Sequence, residues 1–359
     1  MKKILLSILA ILFVLLLSIF LYFQFSDCGI APWSCGDYTL RKDWATKPIA
    51  VGSGPEDMAI DTSTGITRII VSCTERREEL SPMGGFFQIN PTTHSVTKMK
   101  IVGDAIGIRP HGIDVVTIDS VPYLYAISHE GKKPNITHKI YRFQIKGNML
   151  IADASFPVTR ELLTGPNDLD VLEDGSFYVT NPTPSNAEIE SIKPILGIKT
   201  GTVLHYDGKN RWQTVIQDMC YPNGVWISPK RDYLLVANGG CQAIERFEIE
   251  NGKVSIAQKS STKAYGIIPI GDNLMVDAKG NIWTAAHPCP LKFLGHQKNS
   301  ADYSPSQVFK IDPITMKGKL VFQNNGELIS AASTALKIGD QLYISQVFDP
   351  FVLVVDGVN

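Results

Sequence analysis

After residue 45 the chain repeats itself six times, and that repetition leaves it very few architectures. Short runs of β-forming residues, each ending in a small or polar residue, recur along it. They are Ile69-Ile70-Val71-Ser72, Tyr125-Ala126-Ile127-Ser128, Tyr178-Val179-Thr180-Asn181, Leu235-Val236-Ala237-Asn238, Trp283-Thr284-Ala285-Ala286 and Tyr343-Ile344-Ser345-Gln346. Their last residues lie 48 to 60 positions apart, a period that marks a solenoid or a propeller. A second motif runs ahead of the first. Its copies are Gly54-Pro55-Glu56-Asp57, Arg109-Pro110-His111-Gly112, Gly165-Pro166-Asn167-Asp168, Tyr221-Pro222-Asn223-Gly224, Ile270-Gly271-Asp272-Asn273 and a degenerate Ser330-Ala331-Ala332-Ser333. From the third residue of each copy to the end of the following run is 14 to 17 residues. Both motifs therefore belong to one unit, most simply a four-stranded antiparallel blade whose innermost strand opens with the second motif. Six such blades close into an all-β, six-bladed β-propeller around a central channel and share one core.

The propeller occupies residues 45–359, preceded by a connecting segment, 26–44, and a hydrophobic stretch, 1–25. Lys2-Lys3 precede an apolar run from Ile4 to Phe23 interrupted only by Ser7 and Ser18. As a helix these 20 residues rise about 30 Å, enough to cross a hydrocarbon core. The exit sequence Phe23-Gln24-Phe25-Ser26-Asp27-Cys28 is a poor cleavage site. A retained signal-anchor is expected, with the basic end cytoplasmic and the propeller on the non-cytosolic side; cleavage would instead make the protein secreted. Lys plus Arg number 34 against 35 Asp plus Glu, a net charge of −1. A partner rich in phosphates, such as a nucleic acid, is excluded by that balance.

In a propeller the innermost strands of all blades start on the same face. The residues that open them, Glu56, His111, Asn167, Asn223, Asp272 and Asn273, therefore converge on the channel mouth. Burying such groups unpaired costs several kcal/mol each. Two carboxylates and three amides supply hard oxygens without a thiolate, a set that suits Ca²⁺ better than zinc or magnesium.

Glu56-Asp57, Pro110-His111-Gly112-Ile113, Asn167-Asp168, Asn223-Gly224, Asp272-Asn273 and His287-Pro288 closely resemble the paraoxonases, calcium-dependent lactonases and arylesterases with a six-bladed propeller. The resemblance implies two Ca²⁺ ions. It makes Glu56, Asn167, Asn223, Asp272 and Asn273 ligands of a catalytic calcium, and Asp57, Asp168 and the main-chain oxygen of Ile113 ligands of a deeper structural one. Strand alternation accounts for the division between Glu56 and Asp57, since neighbours point oppositely. His111 and His129 match the family's histidine dyad. Tyr221, His287, Phe293, Val347 and Phe348 are the candidate substrate-binding residues. Hydrolysis of a lactone or aryl ester is implied, with His111 aided by His129, or alternatively Glu56, activating water. Two departures stand out: no cysteine lies near the C-terminus to tie the chain ends, so strand pairing must close the ring, and Pro182-Thr183 replaces a family Asp-His.

A sugar lactonase of the gluconolactonase-like propellers is a second reading, and a calcium-stabilised binding module without turnover a third. A serine hydrolase is disfavoured, because no Gly-x-Ser-x-Gly elbow is present. Cys220 and Cys241 lie symmetrically about the turn Ser228–Asp232, so a cross-strand disulfide is expected there; Cys28 and Cys35 are a further candidate pair. Asn135-Ile136-Thr137 is a glycosylation sequon. The run Glu75-Arg76-Arg77-Glu78-Glu79 reads as a solvated loop.

Overall fold

The computed structural model describes residues 2–25, 36, 38–39, 44–77, 84–105, 107–131, 136–157, 162–182 and 198–358. Within them the sheets form six blades around one axis. The innermost strands are Pro55–Asp61, Pro110–Ile118, Leu169–Val171, Pro222–Ile227, Gly271–Val276 and Ala332–Ile338; we number the blades I to VI by them. Each apolar run found in the sequence lies in the second strand of its blade, for example Arg68–Cys73 in blade I and Gln341–Gln346 in blade VI.

The second strands are apolar on both faces because each face packs against a different neighbour. In blade IV, Leu234 and Val236 join residues of blade III, whereas Tyr233, Leu235 and Ala237 join Leu274 and Ile282 of blade V. The same division recurs around the ring, so the expected single core is in fact six apolar wedges between blades. A four-stranded blade holds everywhere except blade II. There Lys100–Val102 adds in parallel to the outer strand Met149–Pro157, covering an edge that would otherwise be open to pairing.

Blade VI joins the two ends of the propeller. Its inner three strands come from residues 332–355, and its outermost strand is Thr46–Ala50, paired antiparallel with Phe351–Val355. Ring closure is thus by strand pairing, as the absence of a C-terminal cysteine requires.

A second device links the blades near the axis. Asp57 Oδ2 accepts the Ile113 N–H at 2.7 Å, Asp114 Oδ2 the Val171 N–H at 2.8 Å, Asp168 Oδ2 the Val225 N–H at 2.9 Å, and Asp170 Oδ2 the Ile227 N–H at 2.5 Å. Each is an inner-strand carboxylate, or one just ahead of that strand, bonded to the inner-strand backbone of the next blade. Charge-assisted bonds of this kind are the strong ones.

The helix Lys2–Phe25 forms, and its described side chains from Ser7 to Ile19 are exposed. Among the described residues no helix is long and apolar enough to cross a membrane. Cys28, Cys35 and Asn135 lie outside the described residues. The expected Cys220–Cys241 disulfide is not formed: Cys220 is a buried thiol, which burial pushes up to about 12, and Cys241 is disulfide-bonded without it, as is Cys289. The reason is a bulge. Val225 pairs with Val236, but between Pro222 and Val225 the register slips so that Pro222 faces Asn238. The Cys220 carbonyl therefore accepts from the Gly240 N–H, and Cys241 ends the short helix Gly239–Cys241, packed beside Cys220 in one buried cluster.

Two outcomes follow from this frame. A chain beginning at residue 52, which lacks Thr46–Ala50, should melt lower than one beginning at residue 44 by more than about 10 °C in a circular-dichroism melt. Below the mouth, Asp114 and Asp170 are hydrogen-bonded to each other. Burial, then the Asp170 charge, holds Asp114 well above the usual carboxylate range, and burial lifts Asp170 to about 7. The folded pair thus keeps a proton that unfolded aspartates, near 3.8, release. Its stabilising contribution is complete below the unfolded value and is lost as pH rises through about 7. Melting temperature in chelator should accordingly carry a downward component between about pH 4 and 7. Asp170→Asn, which keeps an acceptor for the Ile227 N–H, should flatten it.

Candidate functional site

The site is built where the inner strands begin, and these strands are deliberately irregular there. One extra residue is inserted between Pro55 and Asp57, Pro110 and Ile113, Pro222 and Val225, Gly271 and Leu274, and Ala332 and Ala335. Bulges of this kind re-aim side chains. They explain why two consecutive residues, Asp272 and Asn273, reach the same cluster, which strict alternation forbids. The residues just ahead of four of these strands, Gly54, Tyr221, Ile270 and Ala331, have φ values of +57°, +57°, +47° and +53°. For a β-branched Ile that region is strained, a feature that gathers at functional sites.

Two glycines of the repeated motif have a specific task. A Cβ at Gly112 would lie 2.4 Å from the Asn167 carbonyl oxygen, and one at Gly224 would lie 2.6 Å from that of Asp272. Only glycine lets successive blades approach this closely.

Glu56, Asn167, Asn223, Asp272 and Asn273 are all buried at the convergence. Glu56 Oε1 accepts from Asn273 Nδ2 at 3.0 Å and from Ser333 Oγ at 3.0 Å. The Ser333 hydroxyl is equally 3.0 Å from Asp272 Oδ2, which also meets His287 Nε2 at 2.9 Å. Four oxygens are left over. Glu56 Oε2, Asn167 Oδ1, Asn223 Oδ1 and Asn273 Oδ1 are buried without a hydrogen-bond partner. Each such atom costs about 1–3 kcal/mol, so four together need a ligand that takes oxygen donors. Burial holds both Glu56 and Asp272 above their ordinary range. A cation would remove that cost, and the donor set fits Ca²⁺. Among the described residues no group of three His, Cys, Asp or Glu forms a metal cluster; three of the four leftover oxygens are Asn amide oxygens, which lie outside that set.

Asp57 and Asp168 lie beneath. Asp57 Oδ1 accepts from Met58 N–H at 2.8 Å and Thr334 Oγ1 at 2.9 Å, while Asp168 Oδ1 accepts from Leu169 N–H at 2.8 Å. With their inter-blade bonds, all four of these oxygens are engaged. Burial raises both carboxyls well above the usual range, and after burial the Glu56 charge acts on Asp57 and the Asp57 charge on Asp168. Ile113 meets Asp57 through its N–H.

His111 stands on the Glu56 side, Nε2 to Oε1 3.7 Å. Its ring packs edge-on against His129, centroids 4.8 Å apart, so the expected dyad is assembled across two strands of blade II. Burial, then neighbouring positive charge, holds both imidazoles well below their usual range. The dyad extends to a third histidine. His138, directly opposite His129 on the next strand, places its Nδ1 2.7 Å from His129 Nδ1.

The reading of residues 75–77 as a solvated loop is overturned. Arg76 Nη1 donates to the Gly54 and Thr74 carbonyls at 2.7 and 2.9 Å, and Nη2 lies 3.2 Å from His111 Nδ1. Arg77 pairs with Asp349 at 2.7 Å, and its guanidinium stacks over Phe348 at 4.9 Å. Both arginines turn inward because buried carbonyls and aromatic faces offer partners there.

Phe293 lies on the helix Pro290–Lys298, which starts with Pro at its first turn. It packs on His287 at 4.6 Å and on Phe348 at 5.5 Å, and His296 closes on Phe348 at 5.6 Å. His287, Phe293 and Phe348 thus form one wall beside Asp272. Burial and the charges of Asp272 and Glu56 push the Tyr221 hydroxyl up to about 12, which puts it near both carboxylates. Val347 joins the rim through its backbone, its N–H donating to Ala331. The sequence reading gave no site role to Ser333, Thr334, Arg76, Arg77, His138 or His296. The degenerate sixth motif pointed at Ser333 by its phase alone; a hydroxyl among amides and carboxylates is easily passed over.

A family model for arylesterases matches residues 83–353. Serum paraoxonase/arylesterase 1 of Mus musculus is 25% identical over 270 residues, 72% of this chain and 73% of that protein. Serum paraoxonase/arylesterase 2 of Gallus gallus is 26% identical over 258 residues, 68% of each chain. Among solved structures, a gluconolactonase from Xanthomonas campestris superposes with a TM-score of 0.57 at 17% identity, over 90% of this chain and 96% of that one; the likeness is one of fold. The match over most of the propeller, in a chain whose inner strands carry this constellation, makes the protein a member of the arylesterase family.

Proposed function

We propose that the protein is a calcium-dependent hydrolase of lactones and aryl esters. The observation that carries the reading is the set of four buried, unpartnered oxygens at the channel mouth. Glu56, Asn167, Asn223, Asp272 and Asn273 would hold the catalytic Ca²⁺, and Asp57, Asp168 and Ile113 a second, structural ion. When bound, the upper ion supplies Lewis-acid stabilisation of the charge that develops on the acyl oxygen. The protein's own groups do the rest. Phe293, Phe348 and His287 exclude water and flank the ester. Ser333 holds Glu56 and Asp272 at a fixed separation through its single hydroxyl. His111 aided by His129, or alternatively Glu56, activates water; burial keeps both imidazoles neutral near pH 7. Names carried by the paraoxonase relatives support the same class of substrate.

Membrane attachment through the amino-terminal helix is part of this proposal. An apolar helix whose side chains at Leu5 and from Ser7 to Ile19 are exposed is costly in water, and a bilayer removes the cost. The propeller would lie on the non-cytosolic side.

The full-length chain should hydrolyse aliphatic lactones and aryl esters with calcium and lose that activity in chelator. Preference for gluconolactone would favour a sugar lactonase, and retained calcium without hydrolysis a binding module. Asn223→Ala or Asp272→Ala should lower turnover by at least about a hundredfold while leaving the fold intact. Asp168→Ala, which strips the Val225 N–H of its acceptor, should instead cost about 2–4 kcal/mol of stability in urea titrations. Equal loss of stability in all three would make both ion sites structural. Because burial raises Glu56 and Asp272, protons compete with calcium at a higher pH than at free carboxylates, and its affinity should fall as pH is lowered. Calorimetry in buffers of different ionisation enthalpy should register proton release on binding.

A further inference from the structure

We propose that Arg76 is a positioning residue that locks His111 in the tautomer carrying its proton on Nε2. The inference rests on the hydrolase reading for its catalytic meaning, but its geometry stands alone. A guanidinium has five N–H donors and no acceptor. Arg76 Nη2 lies 3.2 Å from His111 Nδ1, so that nitrogen must present a lone pair. In the neutral ring the proton then sits on Nε2, the atom 3.7 Å from Glu56 Oε1. His111 therefore faces the site as a hydrogen-bond donor, suited to a carbonyl oxygen of the substrate. While Arg76 holds Nδ1, His111 has no lone pair to offer water at Nε2. The water-activating role is left to Glu56 or His129.

Arg76 is itself firmly placed. Nη1 donates to the carbonyls of Gly54 and Thr74, and Nη2 also lies 3.5 Å from the Pro110 carbonyl. Gly54 precedes the inner strand of blade I, Thr74 follows its second strand, and Pro110 opens the inner strand of blade II. The guanidinium thereby reads the relative position of the two blades and transmits it to the ring on the second. Lysine at this position would still donate to Nδ1 but could not span both carbonyls and the imidazole in one plane.

The test is the nitrogen spectrum of His111 in the full-length chain, labelled with ¹⁵N-histidine in detergent and assigned with His111→Asn. The lock predicts an unprotonated Nδ1 and a protonated Nε2 in the unaltered protein. Arg76→Met should release a mixture of tautomers and lower kcat about ten- to a hundredfold with KM within about threefold. Arg76→Lys should restore the Nε2–H tautomer and part of kcat. A protonated Nδ1 in the unaltered protein overturns the proposal, as does an Arg76→Met spectrum and kcat unchanged from it. The unaltered protein's spectrum decides even if Arg76→Met misfolds. If the unaltered chain hydrolyses no lactone or ester, the hydrolase reading falls, while the lock is judged on the nitrogen shifts alone.

Discussion

Everything at the centre of this propeller depends on carboxylates that bond to the backbone of the next blade. Asp57, Asp114, Asp168 and Asp170 each accept an N–H from the neighbouring inner strand. Inner strands of adjacent blades share no ladder, so from blade I to blade IV these bonds fix how far one blade stands from the next. That spacing in turn sets the width of the mouth and the separation of the oxygens gathered there. The arrangement concentrates negative charge in a dry channel, and burial raises the carboxyls as a result. Buried charge of this kind is costly while uncompensated, and the raised carboxyls are the form that cost takes here.

The wedge packing explains why the fold was legible in the sequence. A second strand buried on both faces must be apolar throughout, so Leu234-Leu235-Val236-Ala237 stands out as a run, and six such runs in phase define the ring. The site residues were legible for a related reason. Each lies at or just ahead of the start of an inner strand, at a nearly constant offset from the end of the run that follows. Glu56, Asn167, Asn223, Asp272 and Asn273 are brought together as that phase predicts, with His111 and His129 beside them.

What the sequence concealed arises from contacts between segments far apart in it. Arg76 and Arg77 look like surface charge because their partners, the Pro110 and Gly54 carbonyls, Phe348 and Asp349, carry no sign of the relationship in the sequence. The Cys220–Cys241 expectation failed on one bulged residue, since a slip of a single position exchanges Cys241 for Gly240. The same bulges make Asp272 and Asn273 neighbours in the site, where a regular strand would have separated them. Strand periodicity is thus a good guide to the walls of this molecule and a poor one at its mouth, where irregular backbone directs the functional groups.

The pairing of Thr46–Ala50 with Phe351–Val355 has a consequence for how the chain comes into being. During synthesis the outermost strand of blade VI emerges first, and its partner emerges last. For the whole interval between them that strand has no native partner, and blades I and V have no blade VI between them. The ring can be completed only after the final strand is available, so the slowest contact to form is the one that joins the ends. Until then an unpaired edge and two open apolar wedges are exposed to other chains. For a protein of this shape, the critical moment in folding is the arrival of Phe351–Val355 beside Thr46–Ala50.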